Sequence, residues 1–420
     1  MTATAAPRAA AGLVPRLPRL AWLVLGGDAL SAAGSGLTLP FLLVYLHQVR
    51  GITYGLAGLA VSTLAFAAIF GNLLGGALTD RFGARQALTG GLVVSAAGPS
   101  AMAYAQSPWE AFAAAALIGF GAGVIWPSQD ALLAQLLRAD QRSAGFSVRH
   151  ATMNAGLGLG ALAAAAIIKV GHPGTFQAIY LLDALSFLLY APLLLVIPAR
   201  PDAAHARDPE RRMTYREVLR DRNFLWLWAL SALVVAVSYG MDSAAFPAFA
   251  TRPGGILPAS LGLAAAVNTL TVVGAQLLVL RLLRGRRRTK AVALAACIWA
   301  LTWALVLAAG RLGGGAAAAT GFAVAMAAFA IGECLLSPTL SAIVNDMAPP
   351  QAQGSYNGLA ALAWTTGFIV GPAISGAALS KGWGTGLFTA LIPVCGLAAL
   401  LALRLGHRLP ATIDTIPSAG

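Results

Sequence analysis

Residues 75–88 read GGALTDRFGARQAL, a glycine-rich stretch with one acid and two arginines between two long apolar runs. These runs, at about 53–79 and 86–105, are each long enough to cross a bilayer, which takes about 20 apolar residues. Gly76 and Gly83 permit close helix contact and a tight turn. The stretch therefore predicts two membrane helices joined by a short charged loop.

The composition extends this prediction to the whole chain. Of 420 residues, 58% are hydrophobic and only 10% are charged, whereas soluble proteins carry about 25% charged residues. An all-α membrane protein with twelve spans is predicted. The spans lie at about 20–46, 53–79, 86–105, 109–133, 145–169, 175–197, 224–250, 257–283, 290–309, 316–343, 355–380 and 384–405.

One long polar segment interrupts the apolar pattern, and it predicts two domains of six helices each. Residues 198–223 are charged and contain proline, unlike the other, shorter connections. The predicted organisation has tails and a linker around two bundles. The boundaries are an N-terminal tail at 1–19, a first bundle at 20–197, the linker at 198–223, a second bundle at 224–405 and a C-terminal tail at 406–420.

The basic residues indicate how the chain lies in the membrane. The net charge of +13 could suggest a nucleic-acid partner, but the arginines occur in short clusters between apolar runs, which excludes this reading. With the N-terminus in the cytoplasm, 23 of the 28 Lys and Arg fall on the cytoplasmic side. The positive-inside rule then predicts a plasma-membrane protein with both termini cytoplasmic. No basic residue is predicted well inside a span.

The two halves of the sequence resemble each other. With a shift of 211 residues, Pro127 aligns with Pro338 and Gly121 aligns with Gly332. Loop lengths around these positions are similar. Repeated bundles on either side of a midplane cavity are typical of secondary transporters, so we expect pseudo-symmetric halves.

The stretch at 75–88 resembles motif A of the major facilitator superfamily, whose pattern is G-x-L-x-D-R-x-G-x-R-[KR]. Gln86 replaces its last basic residue. The resemblance covers about residues 20–405 and implies the major facilitator fold and transport by alternating access, in a drug-exporter-like branch. The matching residues are Gly76, Leu78, Asp80, Arg81, Gly83 and Arg85.

The resemblance also implies a conformational latch. In the family, the motif's aspartate, here Asp80, engages the N-terminus of helix 11, where an anion is favoured. The neighbouring Arg81 would pair with an acid on helix 4, the position of Asp130. The equivalent stretch in the second half, RLLRGRRRTK at 281–290, has no acid, so only the first half is expected to carry the full latch.

Acids inside spans are the candidates for proton coupling, because charge in the bilayer is costly and is usually retained for function. Asp28 on helix 1 is the first candidate, since a carboxyl in an apolar cavity can load and release protons near neutral pH. Glu333 on helix 10 is the second. Asp242 on helix 7 either gates the outer side or is hydrated there. Asp183 is interpreted as structural.

Four further residues are predicted to shape a substrate cavity: Trp126, Asn154, Tyr239 and Asn268. Two motifs common in drug exporters are not matched, because helix 4 lacks their arginine and helix 5 lacks their Gly-Pro pattern. These departures argue against proton antiport without excluding it.

The sequence contains no motif of an enzyme, a cofactor site or a metal site. The five histidines appear scattered over span ends, loops and the linker. We therefore expect a monomeric secondary transporter for a small-molecule substrate, with the proton as coupling ion and no cofactor. Efflux of an amphipathic compound is the first hypothesis. Proton-coupled uptake of a small nutrient is the second, and a non-transporting membrane sensor or enzyme is the third.

Overall fold

The computed structural model describes residues 15–169, 171–198, 215–251 and 253–417. Residues 1–14 of the predicted N-terminal tail, 199–214 of the predicted linker and 418–420 of the predicted C-terminal tail lie outside the described residues.

The described chain is a bundle of long helices. Twelve are labelled α1 to α12, and α7 and α10 each consist of two segments. Their bounds are α1 Arg19–Thr38, α2 Tyr54–Phe82, α3 Ala84–Tyr104, α4 Pro108–Leu136, α5 Ala139–Ile167, α6 Pro173–Leu193, α7 Arg222–Val237 and Tyr239–Thr251, α8 Pro258–Leu283, α9 Arg288–Gly310, α10 Gly315–Leu336 and Leu340–Met347, α11 Gln353–Ser380, and α12 Gly384–Gly406.

Eleven of these helical stretches are long and apolar enough to span a membrane. The twelfth, α3, has 21 residues, but glycine, serine and threonine lower its hydropathy. It packs against α4 and α6 within the first bundle. The predicted all-α architecture of two six-helix bundles is thus confirmed.

Several helix ends differ from the prediction. Helix α7 is interrupted at Ser238. Helix α10 is interrupted at 337–339, a stretch that includes Pro338. Proline removes a backbone donor and breaks the helical ladder. Helix α5 begins at Ala139 rather than near 145. The prediction missed its first two turns because they are polar and carry no apolar signal.

Small residues set the packing inside the first bundle. A side chain at Gly160 of α5 would collide with the backbone carbonyl of Ala33 in α1, and one at Gly119 of α4 would collide with that of Leu64 in α2. Backbones approach this closely only where glycine leaves room. Glycine therefore sets the distance between the helices at these two crossings.

The two bundles meet near one end of the molecule. We call this end the terminal face, because α1 begins there and α12 ends there. Helix α2 also ends at the terminal face and contacts α11, which begins there. Helices α5 and α8 form the second main contact between the bundles.

Candidate functional site

Asp80 joins the two bundles at the terminal face. Its Oδ1 accepts a hydrogen bond from the Gly354 backbone N–H at 2.7 Å. Its Oδ2 accepts from the Ser355 N–H at 2.7 Å and from the Ser355 hydroxyl at 2.5 Å. Both donors belong to the first turn of α11, where the free N–H groups and the helix dipole favour an anion. A carboxylate of the first bundle thus caps a helix of the second.

The other motif residues prepare this contact. Gly76 lets α2 approach α11, because a Cβ there would lie 2.6 Å from the Gly354 carbonyl oxygen. Gly83, with φ of +94°, makes the turn into α3. Arg85 donates to the Ile197 carbonyl at 2.7 Å and so holds the end of α6. Arg81 is exposed and packs over the Phe82 ring at 5.1 Å.

In the structure, Asp130 is paired with a different arginine from the one expected. Asp130 lies on α4 and is ion-paired with Arg149 of α5. No ion pair joins Arg81 to Asp130 in the described part of the chain, so the expected pairing at this position is corrected. The cause is the packing of α5, which brings Arg149 next to this acid inside the bundle.

Arg149 organises a buried charge cluster, which we define as Asp28, Asp130 and Arg149. Its Nε lies 3.1 Å from Asp28 Oδ2, and Nη1 bonds Asp130. The three residues are 5–7% exposed. The guanidinium also packs over the Trp126 ring at 5.3 Å. The prediction that no basic residue lies well inside a span is therefore wrong.

Two carboxylates share this one guanidinium, which leaves a formal excess of one negative charge. Removing charges from water is costly, and only close pairing and hydrogen bonds offset that cost. The planar guanidinium can serve both acids at once, which a lysine ammonium on a flexible stem does less well. The cluster is thus one electrostatic unit that links α1, α4 and α5.

A second polar group, the inter-bundle cluster, consists of His150, Asn268, Gln276 and Glu333. Asn268 of α8 donates to Glu333 Oε2 of α10 at 2.7 Å. His150 of α5 approaches the same carboxylate from the other bundle, with Nε2 to Oε1 at 4.0 Å. The predicted residues Glu333 and Asn268 are therefore in contact. His150, which the sequence placed among scattered histidines, lies beside them.

The hydrogen bonds around Gln276 fix the tautomer of His150. Gln276 Nε2 donates to the Cys334 carbonyl at 3.2 Å, so its Oε1 faces His150 Nδ1 at 2.9 Å and accepts. With Nδ1 as the donor, Nε2 keeps a lone pair directed toward Glu333. One proton can thus lie between the two bundles, on Nε2 or on the carboxylate.

Aromatic side chains form a wall between these polar clusters. Trp126 of α4 and Trp364 of α11 have ring centroids 6.3 Å apart, and Tyr239 lies 5.3 Å from Trp364. Phe368 lies 6.1 Å from Tyr239. A cavity of about 100 Å³ opens between α2, α4 and α11 and is lined by Trp126, Trp364 and Phe368, among others.

The remaining predicted site residues are less central. Asn154 donates to the His150 carbonyl of its own helix at 3.0 Å. Asp242 is half-buried in the first turn of the second segment of α7. Asp183 accepts from Thr38 Oγ1 at 2.7 Å and ties α6 to α1, which fits its structural interpretation. No group of metal-ligating side chains occurs among the described residues.

Arg149, His150 and Gln276 belong to the candidate site but were not identified from the sequence. The signal that could have found Arg149 was electrostatic: Asp28 and Asp130 were two intramembrane acids without an assigned intramembrane cation. Once Arg149 is placed inside the bundle, His150 must lie there too, because it is the next residue along α5.

Known proteins share this fold and this sequence pattern. MdtH of Aeromonas salmonicida, named a multidrug resistance protein, is 27% identical over 412 residues, covering 95% of this chain and 98% of its own. The MFS-type transporter YttB of Bacillus subtilis is 24% identical, covering 86% and 88%. A structure of the proton:xylose symporter XylE superimposes with a TM-score of 0.74 at 15% identity, covering 94% and 97%.

The family model of the Major Facilitator Superfamily matches residues 24–315 and 232–419, which together span nearly the whole chain. YttB is named a transporter and XylE a symporter, in agreement with the expectation of a transporter rather than an enzyme. Fold, motif and comparisons lead to one conclusion: the chain belongs to the Major Facilitator Superfamily of membrane transporters.

Proposed function

We propose that this transporter exports an amphipathic neutral or cationic compound across the cytoplasmic membrane in exchange for protons, acting as a monomer. The observation that carries the proposal is the charge cluster of Asp28, Asp130 and Arg149, buried beside the aromatic wall between the bundles. Its excess negative charge suits a proton or an organic cation, and the adjacent rings suit an apolar or cationic surface.

The orientation follows from charge. Among the described residues, the basic segment 281–290 lies at the terminal face, and the positive-inside rule favours a cytoplasmic location for that face. The hydrogen bonds of Asp80 to α11 hold the bundles together there. In the proposed orientation, the Asp80 latch therefore closes the cytoplasmic side, as an outward-facing state requires.

Exchange requires that the proton and the substrate compete for one site. Protonation of Asp28 removes its attraction for Arg149 and leaves the guanidinium to Asp130 alone. An organic cation over Trp126 opposes Arg149 by charge repulsion, and its binding favours ionised carboxylates. Proton binding and substrate binding thus favour opposite charge states of the cluster, as antiport requires.

One further observation supports export, and another supports coupling to protons. A relative that aligns over almost its whole length is named a multidrug resistance protein, which favours efflux of foreign compounds. His150 and Glu333 offer a second place for a proton at the contact of the bundles. The likeness to a sugar symporter lies at 15% identity and concerns the fold alone.

Transport of ethidium, an amphipathic cation, into inverted membrane vesicles tests the proposal. We expect uptake that depends on an acidic lumen and that a protonophore abolishes. Asp28→Asn should lose this gradient-driven uptake while remaining in the membrane. The matched control is Asp183→Asn, which removes another buried acid of the first bundle and should retain coupling. Gradient-driven uptake at the wild-type rate in Asp28→Asn would remove Asp28 from the mechanism.

A further inference from the structure

The C-terminal segment 411–416 supplies the acid that the stretch 281–290 lacks. Asp414 is 1% exposed. Its Oδ1 accepts from the Thr289 backbone N–H at 2.8 Å, and its Oδ2 accepts from the Thr289 hydroxyl at 3.0 Å. Thr289 lies in the first turn of α9. Asp414 therefore caps α9 as Asp80 caps α11, although it comes from the far end of the chain.

Backbone pairing fixes the segment in this position. The Gly285 N–H donates to the Ile416 carbonyl at 2.8 Å, and the Ile416 N–H donates to the Arg286 carbonyl at 2.9 Å. The Ile416 side chain is 2% exposed. Two main-chain bonds and a buried side chain set the register, so the Asp414 carboxylate has a defined position at the helix end.

Arg288 connects this segment to the contact between the bundles. It is 1% exposed, and its Nη1 donates to the Ile413 carbonyl at 2.7 Å and to Asp346 Oδ2 at 2.5 Å. Its Nε donates to the Ser143 hydroxyl of the first bundle at 3.2 Å. The C-terminal segment thus holds one side of an arginine that reaches across the interface.

Asp346 completes the bridge. It is also ion-paired with Arg142 of the first bundle, which donates to the neighbouring Asn345 carbonyl at 3.2 Å. Arg142 and Arg288 therefore bind the Asp346 carboxylate from opposite bundles. Opening of the terminal face must separate Arg142 from Asp346 and Ser143 from Arg288, whereas the bonds of the C-terminal segment stay within the second bundle.

We propose that segment 411–416 sets the strength of a second inter-bundle latch, made of Arg142, Asp346 and Arg288, and that Asp414 is a positioning residue for alternating access. By fixing the start of α9 and the Arg288 side chain, the segment keeps Asp346 oriented toward Arg142. Its bonds thereby stabilise the state in which the terminal face is closed. This proposal depends on neither the substrate nor the coupling ion.

The distance between spin labels across the terminal face measures this latch directly. Labels at Arg138→Cys and His407→Cys report from exposed positions of the two bundles, in a background without the three native cysteines. Asp414→Asn should raise the ratio of open to closed terminal faces by roughly fivefold, because Asp346 is then held less firmly toward Arg142 and part of that charge-assisted contact is lost. Truncation after Leu409 should do the same. The exposed Thr412→Ala and truncation after Pro417 are the matched controls and should leave the ratio unchanged.

Non-additivity separates a latch from general support of the fold. If Asp414 acts through Arg142, then Asp414→Asn in an Arg142→Ala background should change the ratio less than about twofold. In an Asp80→Asn background, Asp414→Asn should change the ratio by the same factor as in the wild type. The contact of Asp80 with α11 is separate from the latch of Arg142, Asp346 and Arg288. Thr289→Val keeps the backbone donor and should give a smaller shift in the same direction, which preserves the test if Asp414→Asn folds poorly. An unchanged ratio in Asp414→Asn and Thr289→Val, or full multiplication with Arg142→Ala, would overturn the proposal.

Discussion

Arg149 Nε lies 3.1 Å from Asp28 Oδ2 and joins α5 to α1 inside the first bundle. The same guanidinium bonds Asp130 of α4. Three helices of the bundle are therefore tied by one side chain, and the charges of all three residues depend on one another.

Removal of Arg149 is expected to destabilise the protein strongly. Arg149→Met leaves two buried carboxylates without a counter-ion, and breaking a buried pair in this way costs about 3–5 kcal/mol. Thermal unfolding in detergent should show a clear loss of stability. The triple variant Asp28→Asn, Asp130→Asn, Arg149→Met should recover much of that loss, because it removes the charges together. A triple variant less stable than Arg149→Met would contradict this account of the cluster.

Loss of the Asp80 carboxylate should open the terminal face. Asp80→Ala removes three hydrogen bonds from the start of α11, and charged hydrogen bonds are each worth about 1.5–3 kcal/mol. Cysteine reactivity of residues at the interface should rise from the terminal side. Ser355→Ala removes only one of these bonds and should have a smaller effect. Glu110→Gln at the opposite end is the control, and an equal response there would refute the latch.

Close packing of α1 and α5 predicts a contrast between two glycines. Gly160→Val drives a side chain into the Ala33 carbonyl, whereas Gly26→Val has nothing within 4 Å of the new Cβ. Overpacking of this kind costs about 1–3 kcal/mol. The thermal stability of Gly160→Val should fall by that amount, and Gly26→Val should resemble the wild type. Equal stability of the two variants would disprove the close helix crossing.

The aromatic wall is expected to bind the substrate. Trp364→Ala removes the ring that faces both Trp126 and Tyr239, and we expect ethidium affinity to fall about tenfold by fluorescence titration, since buried aromatic contacts are common hot spots. Trp383→Ala is the matched control, because Trp383 is 64% exposed and packs against Lys381. A Trp364→Ala variant with unchanged affinity would exclude this wall as the binding surface.

The fold was predictable from sequence because its signals are local and repeated. Apolar runs of spanning length, the motif around Asp80 and the arginine bias each depend on neighbouring residues. The first turns of α5 were not predictable from sequence, because residues 139–144 are polar and resemble a loop. Helix propensity and tertiary contacts extend α5 through them.

Contacts between distant segments were beyond the reach of sequence patterns. Nothing near Asp414 indicates that it caps α9, since the residues it bonds lie 125 positions away. The partner of Asp130 was misassigned for a related reason: the family pattern offered Arg81, while the contact with Arg149 depends on how α5 packs within the bundle. Glu333 and Asn268 were identified individually, but their hydrogen bond requires the packing of α8 on α10.

Proton release on substrate binding tests the central claim, that an organic cation and a proton compete for the charge cluster. Purified protein in weakly buffered detergent solution is titrated with ethidium while dye fluorescence reports binding and a pH indicator reports protons. The account predicts release of protons by the wild type that saturates together with ethidium binding, and release that is lost in Asp28→Asn. Ethidium binding without proton release, or release that persists in Asp28→Asn, would contradict it.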